Sequence, residues 1–269
     1  YIGNDPSSTT STALYNVAVG TTALDAVTTG DYNTAIGYNA LTSNTTGNYN
    51  TASGKNSLNS NTAGNYNTAS GETSLFSNTT GYQNTASGVA SMYSNTTGKQ
   101  NTALGYEALK SNTTADYNTA IGFHSLPSNT VGVSNTALGW NALRLNNTGH
   151  YNTAIGAQAL WSNTTGSSNN ATGLASLRSN TTGENNTAMG HQSLGTNTEG
   201  DGNVGLGYRS LISNTTGSLN TAIGANSLYT NTTGDNNTAV GRKALYANTI
   251  GTRNIAFGYS ALDVSDDES

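Results

Sequence analysis

From Asn16 to Asn254 the chain restarts an Asn-Thr-Ala-x-Gly pentapeptide, or a close variant, every seventeen residues without a slip. The copies begin at Asn16, Asn33, Asn50, Asn67, Asn84, Asn101, Asn118, Asn135, Asn152, Asn169, Asn186, Asn203, Asn220, Asn237 and Asn254. A unit this short cannot bury an apolar face alone, so a fixed short period implies a solenoid built by stacking. With each repeat numbered from its first Asn, column 1 is Asn and column 5 is Gly in all fifteen copies. Column 3 is Ala except for Gly205, column 8 is Ala or Ser, and column 9 is Leu except for Met92. Columns 12 and 15 are Asn and Gly in thirteen copies each, the exceptions being Val27, Ser265, Ala115 and Glu268. Columns 6, 7, 10, 16 and 17 vary and hold most of the Tyr and the charge.

A helical unit is excluded by about two Gly per repeat, by β-branched and Asn residues between them, and by a length too short for a helix pair. The pattern predicts an all-β fold, a parallel β-solenoid whose coil has two short strands and two turns. Gly of columns 5 and 15 is expected to supply turn conformations. The first strand is expected over columns 17 to 4 and the second around Leu of column 9. Side chains alternate along a strand. Asn of column 1 and Ala of column 3 therefore share one face, and Thr of column 2 and the residue of column 4 share the other. The first face is expected inside. A buried amide must be bonded, so Asn33, Asn50, Asn67, Asn84, Asn101 and Asn118 are expected to form a structural Asn ladder, while Asn44 and its equivalents hold a turn. Fifteen stacked strands would measure roughly 70 Å. The domains read as a degenerate N-terminal coil over 1–15, the repeats over 16–262, and an acidic tail over 263–269 that is a solvating cap or the point where a longer fibre was cut.

Composition narrows the function. Hydrophobic residues make up 33% and charged residues 9% of the chain, but the aliphatics recur in register, which separates it from a disordered segment. The net charge is -5 and the basic residues are scattered, without the cluster a nucleic-acid partner requires. Without Cys there are no disulfides or thiolate metal sites. No apolar run is long enough for a helical membrane span, and the N-terminus reads as a mature end or an excision point. His124, His150 and His191 occupy columns 7, 16 and 6 of different repeats, so a shared metal site is not expected. No Ser/His/Asp set repeats and no carboxylate pair falls in an invariant column. The chain reads as non-enzymatic and without cofactor. Asn-Thr-Thr recurs at Asn44, Asn78, Asn95, Asn112, Asn163, Asn180, Asn214 and Asn231 and matches the glycosylation sequon, but these read as turn residues.

Two outward features point to partners. Column 4 is mostly aliphatic, with Ser53, Ser70, Ser87 and Thr172 as its polar members. One Leu and one Ala per coil bury little area, and a solvent-facing stripe of Ile36, Leu104, Ile121, Leu138, Ile155 and Ile223 marks an interface. The candidate interface is that stripe with Thr34 of column 2. The ring-bearing columns 6, 10 and 17 supply a candidate ligand surface of Tyr38, Tyr106, Trp140, Trp161, Tyr229 and Tyr246, since exposed Tyr and Trp suit binding and sugar stacking.

The strings NTAIGYNALTSNTTG (Asn33 to Gly47) and NTAIGANSLYTNTTG (Asn220 to Gly234) resemble repeats of tail-fibre-like proteins of phages and marine bacteria. The same core is similar to the head repeats of trimeric autotransporter adhesins. The resemblance implies a left-handed parallel β-roll, three chains side by side as a homotrimer, Ala35 within the roll, and Thr34 and Ile36 toward the trimer centre. It also implies an extracellular place, on a cell-surface appendage or virion tail fibre, and attachment to a cell-surface glycan or receptor. This chain departs from the adhesin pattern in its longer period and in Thr, rather than Val, at column 2. The alternative function is ice binding through stacked Thr columns on a flat face: Thr occupies column 2 without a break from Thr34 to Thr153.

Overall fold

The computed structural model describes residues 12–263. The rest of the expected N-terminal coil and all of the acidic tail beyond Asp263 lie outside the described residues. The chain divides into two compact units, residues 1–134 and 135–269.

The first unit holds seven strands of three residues: β1 Val17–Val19, β2 Thr34–Ile36, β3 Thr51–Ser53, β4 Thr68–Ser70, β5 Thr85–Ser87, β6 Thr102–Leu104 and β7 Thr119–Ile121. Each pairs in parallel with the next at an offset of one repeat, so Thr51 meets Thr68, Ala52 meets Ala69 and Ser53 meets Ser70. The same register runs from β1 to β7. The second unit holds β8 Thr136–Leu138, β9 Thr153–Ile155, β10 Asn170–Thr172, β11 Thr187–Met189, β12 Val204–Leu206, β13 Thr221–Ile223, β14 Thr238–Val240 and β15 Ile255–Phe257. These are parallel in the same register. Each unit is an all-parallel β-solenoid of seventeen-residue coils.

The strand covers columns 2 to 4 only. Column 17 has a left-handed backbone, as at Tyr32 (φ 57°) and Tyr49 (φ 56°), which ends an extended segment before it reaches column 1. The inside–outside assignment holds: Ala35, Ala52 and Ala69 are fully buried, and the residues on either side of them are exposed or half-buried.

The expected second strand is absent. Columns 7 and 9 are both left-handed in every described coil, so Leu41 sits at φ 52° and Leu75 at φ 49°. A non-Gly residue in this region costs roughly 1–2 kcal/mol, yet these Leu side chains are fully buried and fill the centre of the coil. The backbone remains hydrogen-bonded. Asn56 N–H donates back to Tyr38 C=O at 2.8 Å, and Leu58 N–H donates forward to Ser74 C=O at 3.0 Å. The second side of the coil is thus a stack of turns whose amides point alternately to the coil behind and the coil ahead. Hydrophobic periodicity locates a buried Leu but does not report the sign of its φ.

The two glycine columns differ. Column 5 needs glycine for its backbone, with φ between 121° and 139°. Column 15 does not have a left-handed φ, contrary to the expectation. Its glycine is favoured by space: a Cβ on Gly47 would lie 2.4 Å from Gly64 O and 2.4 Å from Asn44 Oδ1, and only a side chain as small as that of Ala115 takes its place in a described coil.

Candidate functional site

The interior is a polar frame, and it fixes what the outer columns can present. Column 1 forms the expected ladder. Asn50 Nδ2 donates to Gly64 O at 2.8 Å and to Asn33 Oδ1 at 3.2 Å, and Asn50 N–H donates to the same Oδ1 at 2.9 Å. Asn67 repeats the pattern on Asn50, and Asn84 on Asn67. Column 12 forms a second ladder beyond its turn role: Asn61 Nδ2 donates to Asn44 Oδ1 at 2.8 Å and to Gly64 O at 3.1 Å. In the coils that begin at Asn33 to Asn237 one column 15 carbonyl, from glycine or from Ala115, therefore joins both ladders. This explains why Asn, Asn and Gly recur together at columns 1, 12 and 15. It also settles the Asn-Thr-Thr motifs as structural, because Asn44, Asn78, Asn95, Asn112, Asn163, Asn180, Asn214 and Asn231 are fully buried and no glycan could reach them.

Thr serves two purposes. In column 13 the hydroxyl donates to the carbonyl of the next Thr wherever one follows in a described coil, as Thr45 does to Thr62 (3.0 Å) and Thr181 to Thr198 (3.0 Å). Spacing alone gives no sign of this, although column 13 is Thr in every described coil except at Asn147. In column 2 the hydroxyls of Thr34, Thr51, Thr68 and Thr85 have no hydrogen bond among the described residues and point outward with column 4. Ser53, Ser70 and Ser87 likewise make none.

The candidate interface residues all fall on this outward strand face. In the first unit it carries Thr34, Ile36, Leu104 and Ile121, and in the second Leu138, Ile155 and Ile223. Ile36 is 45% exposed and Ile223 39%, while Leu104 and Ile121 are half-buried.

The candidate ligand residues divide by what covers their rings. Tyr229 and Tyr246 stack on each other at 4.9 Å, and Lys243 lies 5.4 Å from the Tyr246 ring. Tyr106 stacks on Phe123 at 5.3 Å and on His124 at 5.5 Å. The Arg178 guanidinium lies 5.7 Å from Trp161. Among the described residues, Tyr38 and Trp140, both in column 6, have no ring or cation against them and are half exposed. A sugar stacks on an open ring face, so Tyr38 and Trp140 fit that chemistry best. Tyr15, Tyr32, Tyr49 and Tyr66 form a continuous stack with centroids 4.8–4.9 Å apart. Its inner rings present edges and hydroxyls rather than faces. The signal in the sequence is four consecutive Tyr at the repeat spacing.

Charge is local and external. Glu107 receives Lys110 Nζ at 2.7 Å and lies 3.1 Å from His124 Nε2, a contact without hydrogen-bond geometry. The Lys110 hydrogen bond holds the Glu107 carboxyl below its ordinary range, against partial burial, which pushes it up. Among the described residues no three His, Cys, Asp or Glu side chains group as a metal site, and no helix is long and apolar enough to cross a membrane. A recess of about 330 Å³ beside Leu245, Asn248 and Leu262 has no titratable side chain in its lining. No protein-family model matches this chain, and no curated protein matches it.

Proposed function

We propose that this chain is a structural fibre or adhesin module that works outside the cell, on a surface appendage or virion tail fibre. Copies associate side by side as a homotrimer through the strand face, and the ring-bearing outer columns meet a receptor or glycan. The observation that carries this reading is the strand face itself. Its aliphatic stripe is exposed or half-buried on a single chain, and among the described residues its Thr hydroxyls have no hydrogen-bond partner. A contiguous outward aliphatic stripe of that kind marks an interaction surface. Three chains would display each weak ring site three times, and multivalency raises avidity without a deep pocket. The reading needs no cofactor, no nucleic acid and no membrane insertion. Light scattering tests it. The wild type should have the mass of a trimer, and Ile121→Asp with Ile155→Asp should reduce it to a monomer; a monomeric wild type would sink the reading.

One observation favours a second reading, ice binding. β3 to β5 read Thr-Ala-Ser three times in succession, and Thr51, Thr68, Thr85, Ser53, Ser70 and Ser87 are all exposed with uncommitted hydroxyls. If the chain is monomeric and shows thermal hysteresis at millimolar concentration, this second reading replaces the first.

A further inference from the structure

A solenoid that associates with its own copies faces a problem of register. Every coil repeats the one before it, so a neighbour could slide by one strand spacing, about 4.8 Å, and meet nearly the same surface. Columns 1, 3 and 9 offer no protection, because they point inward and do not vary across the first unit apart from Met92, which is itself buried. Something on the outward face must distinguish one coil from the next.

We infer that the Ser53–Ser70–Ser87 block in column 4 sets the axial register between copies of this chain, a proposal that rests on the self-association put forward above. Along β2 to β7 the column runs Ile36, Ser53, Ser70, Ser87, Leu104 and Ile121. With Thr51, Thr68 and Thr85 the block makes six exposed hydroxyls, none bonded among the described residues. A hydroxyl both donates and accepts, so this patch is complementary to itself. When parallel copies are in register, hydroxyls meet hydroxyls and aliphatics meet aliphatics. A slide of one coil sets Ser53 against a partner's Ile36 and Leu104 against the same partner's Ser87. Each such contact buries a hydroxyl without a partner, which is unfavourable. A single polar position in an apolar coiled-coil seam specifies register by the same physics.

A second copy is the occupant because the pattern matches itself. The block is symmetric about Ser70, so it sets axial position, and the direction of the copies follows from closed rotational symmetry.

The test moves the block without changing composition. Ile36→Ser with Ser70→Ile keeps the same residues on the face but gives a pattern that no slide restores to the wild type. Both positions are exposed, so the interior is untouched. Native mass spectrometry of each protein alone should give the same oligomeric mass. When wild type and variant are unfolded, mixed and refolded together, they should sort, with mixed oligomers about tenfold or more below the random proportion. Should this variant not assemble alone, Ser70→Ile with Leu104→Ser gives the same comparison. Failure of both to assemble alone overturns the inference, since each face matches itself. Random mixing overturns the register role alone and leaves self-association standing. A monomeric wild type overturns self-association and the inference with it.

Discussion

The coils of β3 to β5 and those of β6 and β7 share their inward Asn, Ala and Leu or Met columns, differ inside chiefly in Ser57, Ser74 and Ser91 against Ala108 in column 8, and differ more outside. Ala52, Ala69 and Ala86 in one block and Ala103 and Ala120 in the other are all fully buried, as are Leu58, Leu75 and Met92 against Leu109 and Leu126. Outward, column 4 passes from three Ser to Leu104 and Ile121 with no change in strand length, pairing or register. The coil is therefore specified from within, by the two Asn ladders, the shared glycine carbonyl and one aliphatic side chain. Outward residues contribute little to the fold and are free to specify contacts.

If that separation is right, inward substitutions should cost the same in both blocks. Leu75→Ala and Leu109→Ala should each destabilise the chain by about 3–5 kcal/mol, the range for emptying a packed Leu site. Denaturant melts, with amide exchange of the coil concerned because stacked repeats depart from two-state behaviour, should give equal losses. A difference above roughly 1 kcal/mol would mean that the outer face supports the core. The ladder gives a second, smaller comparison. Asn67→Ala removes the acceptor of Asn84 N–H and one donor to Gly81 O, and Asn101→Ala does the same to Asn118 N–H and Ala115 O. Leaving a buried amide unbonded costs about 1–3 kcal/mol, again with no preference for either block.

These residues also show how far the sequence could be read. The period, the parallel stack, the buried Ala and Leu and the column 1 ladder were legible, because each follows from spacing and from the rule that a buried amide must be bonded. The left-handed Leu backbone was not legible. Leu disfavours that region, and only the alternating hydrogen bonds of the stack hold it there. The role of Gly47 was misjudged for a related reason: a sequence shows that glycine recurs but not whether its φ or its missing Cβ is needed. At the candidate site, columns 2 and 4 were assigned correctly to one outward face by alternation. Which rings have open faces depends on inter-coil stacking, so Tyr38 and Tyr229, equivalent by composition, differ in the fold.

Outward substitutions should reverse the ranking. Leu104→Ser extends the Ser block into the aliphatic flank. The stability of a single chain should change by no more than about 0.5 kcal/mol, as at other surface sites. Self-association, measured by sedimentation over a dilution series, should weaken by about tenfold or more. A large loss of monomer stability would show that Leu104 belongs to the core, and the separation between inside and outside would fail at β6.

The smallest effect lies in charge, and it too distinguishes the blocks. Near β6 and β7 the Glu107 carboxyl is held below its ordinary range by Lys110 and, less strongly, by His124. A carboxyl depressed in the fold adds stability above its unfolded value, about 4.3, and loses that contribution as pH falls through the lower folded value. Glu107→Gln should therefore cost under about 1 kcal/mol at neutral pH, because Lys110 is 40% exposed and solvent screens the pair. The difference from wild type should close in acid. Near β3 and β4 the ion pair of Lys55 and Glu72, at 3.0 Å, has both side chains more than half exposed. Glu72→Gln should change stability by about 0.3 kcal/mol or less. Thermal melts of the two variants from neutral pH into acid compare them directly. An equal loss in both would mean that the His124 and Tyr106 rings stacked beside Glu107 do nothing to strengthen its ion pair.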